Sequence, residues 1–359
     1  MRAGETGALR GRTAATCVLL SLLAASAGRA ESCLAAARST EPATGAKTRY
    51  AFDRPGHAID ATGVVWRGAG RHAIRLQGGH SACWSGGTIA GPYPEDAVYE
   101  CAAEHGYRGG ACASFHVTAG IAPAVSAPET RIEDVQISDY GDGVSLESTS
   151  GAVSVRRVYL RDLHDDAVEN DFAERITVAD SLIERSFIAF ASRPRSGSGL
   201  DQRGNVFTIH NNLVLLHRFT NAYKQKPGHG GFFKWPEDGS GPQLAVTDNV
   251  FVMDDPGSGQ LTLPLVDQIA ECRNNELLWA GSVAAYRAWL AAGGGHSDGL
   301  LSNRARLELL SRCYAVTVKP DAQSKAAFLA EHWDPLVARW KAARAAGGGE
   351  PGSGARGLR

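Results

Sequence analysis

Apolar positions along this chain fall into short clusters, and the clearest of them recur in one arrangement. Aliphatic or β-branched residues frame a polar pair, a polar turn follows, and a second short apolar run comes after it. Copies stand at Ile132-Glu133-Asp134-Val135, Val155-Arg156-Arg157-Val158, Val178-Ala179-Asp180-Ser181, Ile209-His210-Asn211-Asn212, Val246-Thr247-Asp248-Asn249 and Cys272-Arg273-Asn274-Asn275. Successive copies lie 23, 23, 31, 37 and 26 residues apart. A constant unit with occasional insertions is the mark of a stacked repeat, because insertions collect where a repeat meets solvent.

A unit of 23 residues is too short for strand, helix and strand, but it suits two or three short strands. Such strands stack at an interstrand spacing of about 4.8 Å. The expected fold is all-β, a right-handed parallel β-helix (solenoid) with short C-terminal helices. Asn212, Asn249 and Asn275 then fall in one column, with Asn211, Asp248 and Asn274 beside it. Stacked amides bond along the axis and satisfy turn backbone, so these asparagines read as structural. The 37-residue spacing places its insertion mostly between Leu216 and Gly230.

Before the regular repeat, Val64-Val65-Trp66, Ala73-Ile74-Arg75-Leu76, Thr88-Ile89-Ala90 and Phe115-His116-Val117 read as less regular strands. After it the period changes, and residues 283–292 and 335–346 read as helices. The second has Asp334 as N-cap, Pro335 at the first helical position, and Leu336, Trp340 and Ala343 along one stripe. A helix packed near the end of the solenoid would cap its open core. The expected division is a signal peptide over 1–30, an N-terminal segment over 31–51, the β-helix over 52–315, a helical segment over 316–346 and a disordered Gly-rich tail over 347–359.

The signal peptide rests on Arg2, Arg10 and Arg12, then an apolar run over 13–27, then small residues at Ala25-Ser26-Ala27 or Gly28-Arg29-Ala30. No stretch reaches the eighteen or so apolar residues that cross a bilayer, so a secreted or periplasmic protein without membrane insertion is expected. Seven cysteines become six without Cys17, an even number that fits three disulfides in an exported protein. Proximity and order suggest Cys101 with Cys112, Cys272 with Cys313, and Cys33 with Cys83. A net charge of -1 with no basic block speaks against nucleic acid as a partner. A monomer that meets a polysaccharide is the expectation.

The repeat, the signal and the string His164-Asp165-Asp166-Ala167-Val168-Glu169-Asn170-Asp171 resemble the pectate-lyase-like superfamily of parallel β-helix proteins. The similarity is strongest to bacterial chains described only as right-handed β-helix repeat proteins, and spans Phe52 to Cys313. That superfamily includes lyases, hydrolases, epimerases and non-catalytic adhesins, so the fold alone does not choose among them.

The densest polar cluster lies on consecutive repeats. A 23-residue register puts Asp165 over Asp142 with Asp166 beside it, Asn170 over Glu147 and Arg193 over Asn170. Gly228-His229-Gly230-Gly231-Phe232-Phe233-Lys234-Trp235 follows on a later strand. With Val144 inward, the 23-residue register turns Glu169 inward, whereas a one-residue slip turns Val168 inward and Glu169 outward.

Two chemistries can use this cluster. Elimination from a uronate needs its carboxylate neutralised and a base beside the neighbouring carbon. Asp142, Asp165, Asp166 and Glu169 would hold Ca²⁺ on their oxygens, the only cofactor expected, with Lys234, His229 or Arg193 as base. Glu169, Asn170 and Trp235 would bind the saccharide, Trp235 as an aromatic platform. A polysaccharide lyase of this kind is the first expectation. Hydrolysis by paired carboxylates is the alternative, and here the chain resembles polygalacturonase-type hydrolases through Gly141-Asp142-Gly143, Asp165-Asp166, Gly228-His229-Gly230 and Lys234. It departs from their pattern in that no Asn-Thr precedes Asp142, and the closing Arg-x-Lys is absent. A third reading is a β-helix module that binds glycan or forms an adhesive surface without turnover.

Overall fold

The computed structural model describes residues 32–68, 71–97, 118–147, 151–172, 175–192, 200–222, 226–236, 240–253, 268–291, 308 and 311–346. These residues are mostly β, and nearly all the strands join two long parallel sheets. One sheet has nine strands and runs from Ser39–Pro42 to Ile269–Arg273; the other has fourteen and takes in Arg49–Phe52 through Tyr314–Val318. The strands therefore begin before residue 52 and end after residue 315.

Each repeat adds one layer to both sheets. Val153 pairs with Ile176 and Val155 with Val178, so the period of 23 read from the sequence is the residue count of a layer. Alternation sets the faces: in Ala152–Arg156 only Val153 and Val155 are buried. The polar pair then makes the corner between the sheets. Asp134, Arg157, Asp180, Asn211, Asp248 and Asn274 all have φ between 52° and 61°. This left-handed region is tolerated best, after glycine, by Asn and Asp, whose short side chains bond locally.

The next residue turns inward. Asn212 Nδ2 donates to Asn249 Oδ1 at 3.0 Å, and Asn249 Nδ2 donates to Asn275 Oδ1 at 2.9 Å. Each amide also donates to a backbone carbonyl, of Val178, Ile209 and Val246 respectively. The Oδ1 atoms of Asn212, Asn249 and Asn275 in turn accept the backbone N–H groups of Ser181, Asn212 and Asn249. This is the column expected from the repeat, and it continues down through Ser181, whose hydroxyl accepts the Val158 N–H.

The core is one continuous stack of aliphatic and aromatic side chains, with Trp84, Phe207, Phe251 and Trp279 fully buried. Two disulfides lie among the described residues, Cys33–Cys83 with Cα atoms 5.8 Å apart and Cys272–Cys313 with Cα atoms 5.0 Å apart. Cys101, Cys112 and the strand expected at Phe115-His116-Val117 lie outside the described residues, as does Arg193. The insertion after Leu216 forms an antiparallel hairpin, Phe219–Ala222 with Lys226–Gly228.

Three helices are described. α1 (Val283–Ala291) sets Trp289 against Trp279 at 5.3 Å and so adds to the core near its C-terminal end. α2 (Lys325–His332), capped by the Ser324 side chain, and α3 (Asp334–Ala346) do something else. Phe328, Trp333 and Val337 pack on Leu182, Val252 and Leu278, on the outer side of the second sheet. Trp340 Nε1 donates to the Asp180 carbonyl at 2.7 Å, and Arg344 donates to those of Arg157 and Asp134. The final helix therefore runs along the corner column and crosses several layers; it does not cap the end. Val337 and Trp340 meet a sheet side that itself carries outward apolar residues, whereas Ala343 of the expected stripe is exposed. No described helix is long and apolar enough to cross a membrane.

Candidate functional site

The layer register is not uniform. Gln136 pairs with Tyr159, 23 residues on, but Val144 pairs with Val168, 24 on. The extra residue is absorbed in the strand Tyr159–Glu169, whose pairing with the next layer also shifts between Leu163 and Asp166. The slip is thus the arrangement adopted, with Val168 in the core and Glu169 partly exposed. It also corrects the expected stacking. Asp166, not Asp165, lies over Asp142, and its backbone N–H donates to Asp142 Oδ1 at 3.1 Å. Asn170 does not sit over Glu147; it is buried, with its N–H on the Ala191 carbonyl.

Local packing explains why two acids flank this point. Ala167 and Val168 both enter the core, as do Ala189 with Phe190 and Phe232 with Phe233 in the layers above. Two consecutive inward residues leave the residue on either side, Asp166 and Glu169, outside the apolar stack. Ser145, Glu169, Ala191 and Lys234 then form one outward column.

Asp142, Asp165 and Asp166 are 1%, 2% and 0% exposed, and one oxygen of each lies within 4.8 Å of the others. Lys234 reaches back from two layers above, with Nζ 2.7 Å from Asp166 Oδ2 and 3.8 Å from Asp165 Oδ1. Its side chain keeps 25% exposure and Glu169 is partly exposed, so these two lie on the solvent side of the buried aspartates. Ser145 Oγ donates to Glu169 Oε2 at 2.5 Å. Asp166 Oδ1 is buried with no hydrogen-bond partner among the described residues.

Among the described residues one ammonium faces four carboxyl groups here, and the electrostatics follow from that imbalance. Burial, with the neighbouring negative charges, pushes Asp166 up to about 7 against the pull of Lys234. Burial and the charges of Asp166 and Asp171 push Glu169 up to about 8. Asp142 is raised well above the usual carboxylate range by burial and by Glu169, Asp165 and Asp166. Burial works to lower Lys234, but Asp165, Asp166 and Glu169 outweigh it and hold the amine well above its ordinary value. At neutral pH the pocket holds a firmly charged lysine and carboxyl groups that retain protons.

Other expected site residues fall elsewhere. The Gly230 N–H donates to the Phe187 carbonyl, which sets Gly228-His229-Gly230 against Phe187 and Ile188. His229 is buried, with Nδ1 2.8 Å from the Gly230 carbonyl oxygen, and Ile188 stands between its layer and the aspartates. Gly230 serves close approach here: a Cβ would come within 2.4 Å of Ile188 Cγ1. Trp235 is a core residue, with Nε1 donating to the Pro242 carbonyl at 2.9 Å and its ring 5.3 Å from Phe207. It is no platform for a sugar. His164 stacks on Phe219 at 4.5 Å, and burial pushes its imidazole down to about 4. Ser145 was not anticipated; the one sequence signal for it is its place on the layer beneath Glu169.

Comparison with protein-family models, with curated proteins and with solved structures finds no match for this chain. The pocket's chemistry must therefore be argued from its own residues. All-oxygen donors suit a hard divalent cation, and protonated carboxyls beside a charged neighbour suit acid–base work.

Proposed function

We propose that this chain is an exported right-handed parallel β-helix that hydrolyses an acidic, uronate-type polysaccharide with the carboxyl groups of Asp142, Asp165, Asp166 and Glu169. The observation that carries this reading is the ammonium of Lys234, 2.7 Å from Asp166 and held charged. A charged lysine cannot take a proton from a sugar carbon, but it can neutralise a uronate carboxylate and keep one aspartate ionised. His229 lies behind Ile188, so it does not supply the base either. What the site does offer is carboxyl groups raised into the neutral range, Asp166 to about 7 and Glu169 to about 8, so that near pH 7 Glu169 is mostly protonated and Asp166 is divided between its two forms. The protonated group donates to the glycosidic oxygen as the carbon–oxygen bond breaks. The ionised group takes a proton from the water whose oxygen attacks the same carbon. The export signal, two disulfides and no membrane-crossing helix among the described residues fit an extracellular or periplasmic setting.

One observation favours a second reading, a calcium-dependent lyase. Three aspartate oxygens within 4.8 Å of one another, with Asp166 Oδ1 unpaired, would suit Ca²⁺ held by Asp142, Asp165, Asp166 and Glu169. The ion would neutralise the uronate and acidify the neighbouring C–H. No specific observation favours the non-catalytic module, and Trp235, expected to bind the saccharide, belongs to the core. The deciding experiment offers pectate, alginate and neutral polysaccharides, with and without Ca²⁺, and scores new reducing ends and unsaturated product. Reducing ends without unsaturation support hydrolysis; Ca²⁺-dependent unsaturation supports the lyase; no product from any of them leaves the binding module.

A further inference from the structure

The nine-stranded sheet carries a cavity that the carboxyl groups of the other sheet do not use. It measures about 140 Å³, with Cys33, Ala82 and Cys83 among its buried walls and the half-exposed Ser81, Glu129 and Arg131 beside them. Alternation explains its place. Ala82 and Trp84 enter the core, so Cys83 between them faces outward. There it is bonded to Cys33 of the turn over 33–36, and the disulfide forms a small apolar cluster of its own with Ala58, Leu34 and Ala37. Cys33 and Cys83 are 4% and 7% exposed, and the cavity is what gives a small molecule access to their sulfurs.

The two sulfurs stand beside opposite charges. Arg131 pairs with Cys83 in the next layer, so both side chains leave the sheet on one side, about 4.8 Å apart at the usual strand spacing. Arg131 Nε donates to Glu129 at 2.8 Å, which leaves both Nη groups without a partner among the described residues. Cys33 has a carboxylate beside it instead: its N–H donates to Glu133 Oε2 at 3.1 Å, an oxygen that Arg157 also holds at 2.8 Å. A neighbouring guanidinium stabilises a thiolate, and a carboxylate opposes one. When the sulfur–sulfur bond opens, Cys83 is therefore the better leaving group. A cavity of this size has room for roughly six heavy atoms. The cation of Arg131 and the anion of Glu129 beside it suit a small zwitterion whose carboxylate meets the first and whose ammonium meets the second.

We propose that Cys33–Cys83 is a thiol-exchange site for a small thiol that carries a carboxylate. The incoming thiolate attacks Cys33 Sγ; its bond to that sulfur forms as the Cys33–Cys83 bond breaks, and Cys83 leaves as a thiolate beside Arg131. One disulfide replaces another, so no oxidant or reductant is consumed. The exchange removes the covalent tie between the turn over 33–36 and the sheet. It stands independently of the polysaccharide reading.

The test exposes the folded full chain to cysteine, or to cysteamine, which has the ammonium but no carboxylate, at matched thiolate concentration. The reaction is stopped with acid, and the adducts are located by peptide mass spectrometry. The expected product is cysteine on Cys33 with Cys83 free, formed before any change at Cys272–Cys313. Cysteine should react about fivefold faster than cysteamine, and Arg131→Gln, at a half-exposed position, should slow the cysteine reaction about fivefold while Arg131→Lys keeps most of the rate. No adduct on Cys33, equal rates in wild type and Arg131→Gln, or earlier reaction at Cys272–Cys313 overturns the exchange site. Equal rates for cysteine and cysteamine overturn its preference for a carboxylate.

Discussion

The molecule stacks buried polar side chains in two places, and the same repeat produces both. In the corner between the sheets, Asn212, Asn249 and Asn275 use their donors and acceptors on one another and on the backbone. In the second sheet, Asp142, Asp165, Asp166 and Glu169 crowd four acids around one lysine, and Asp166 Oδ1 has no partner among the described residues. A neutral amide is donor and acceptor at once, so a column of amides satisfies itself. A carboxylate only accepts, so a column of carboxylates repels itself and must recruit a proton, a cation or a ligand. The first column stabilises the fold, and the second stores a demand that a substrate can meet.

The largest expected difference comes from Asn249→Leu. It strands the Asn212 N–H and the Ile209 carbonyl inside the core, and each unsatisfied group costs about 1–3 kcal/mol. Urea denaturation should show a loss of about 3 kcal/mol or more; a loss under about 1 kcal/mol would mean that the column is ornamental.

Next comes pH. Asp166 and Glu169, at about 7 and about 8, bind protons in the folded state that they would release when unfolded. Between their unfolded values and these folded ones the native protein holds more protons, so its stability falls as pH rises. The contribution is complete below about pH 4 and lost by about pH 8, on the order of a few kcal/mol across that window. Asp166→Asn with Glu169→Gln should flatten the profile. If Ca²⁺ flattens the wild-type profile instead, the metal reading gains.

A smaller effect of opposite sign is expected for Asp142→Asn. It keeps an acceptor for the Asp166 N–H and removes one of the repelling charges. Thermal melts above about pH 8 should show a gain of about 1–2 kcal/mol together with lost activity, whereas destabilisation there would place Asp142 with the structural polar groups. The smallest effect belongs to the corner itself. Asn211, at φ 53°, should accept glycine with a change within about 0.5 kcal/mol, since the conformation suits glycine and its bond to Asp180 is exposed.

The two columns also differ in how far the sequence discloses them. The Asn corner is legible because it recurs over three successive layers, where the left-handed residues Asn211, Asp248 and Asn274 are each followed by the inward amide. The carboxyl pocket is legible in composition but not in register. One extra residue within Tyr159–Glu169 moves Asp166 over Asp142, and no local pattern marks it. Trp235 misleads because Phe232 and Phe233 both turn inward, so the alternation that follows turns Lys234 out and carries the indole in.

The central claim is that the crowded acids hydrolyse and do not eliminate, and product mass tests it most directly. Digestion of an acidic hexasaccharide by wild type and Asp166→Asn, read by mass spectrometry, separates the two outcomes. Hydrolysis gives fragments whose masses sum to the substrate plus one water for each bond cut, and Asp166→Asn abolishes them. Fragments that sum to the substrate alone, one of them unsaturated, would contradict the account.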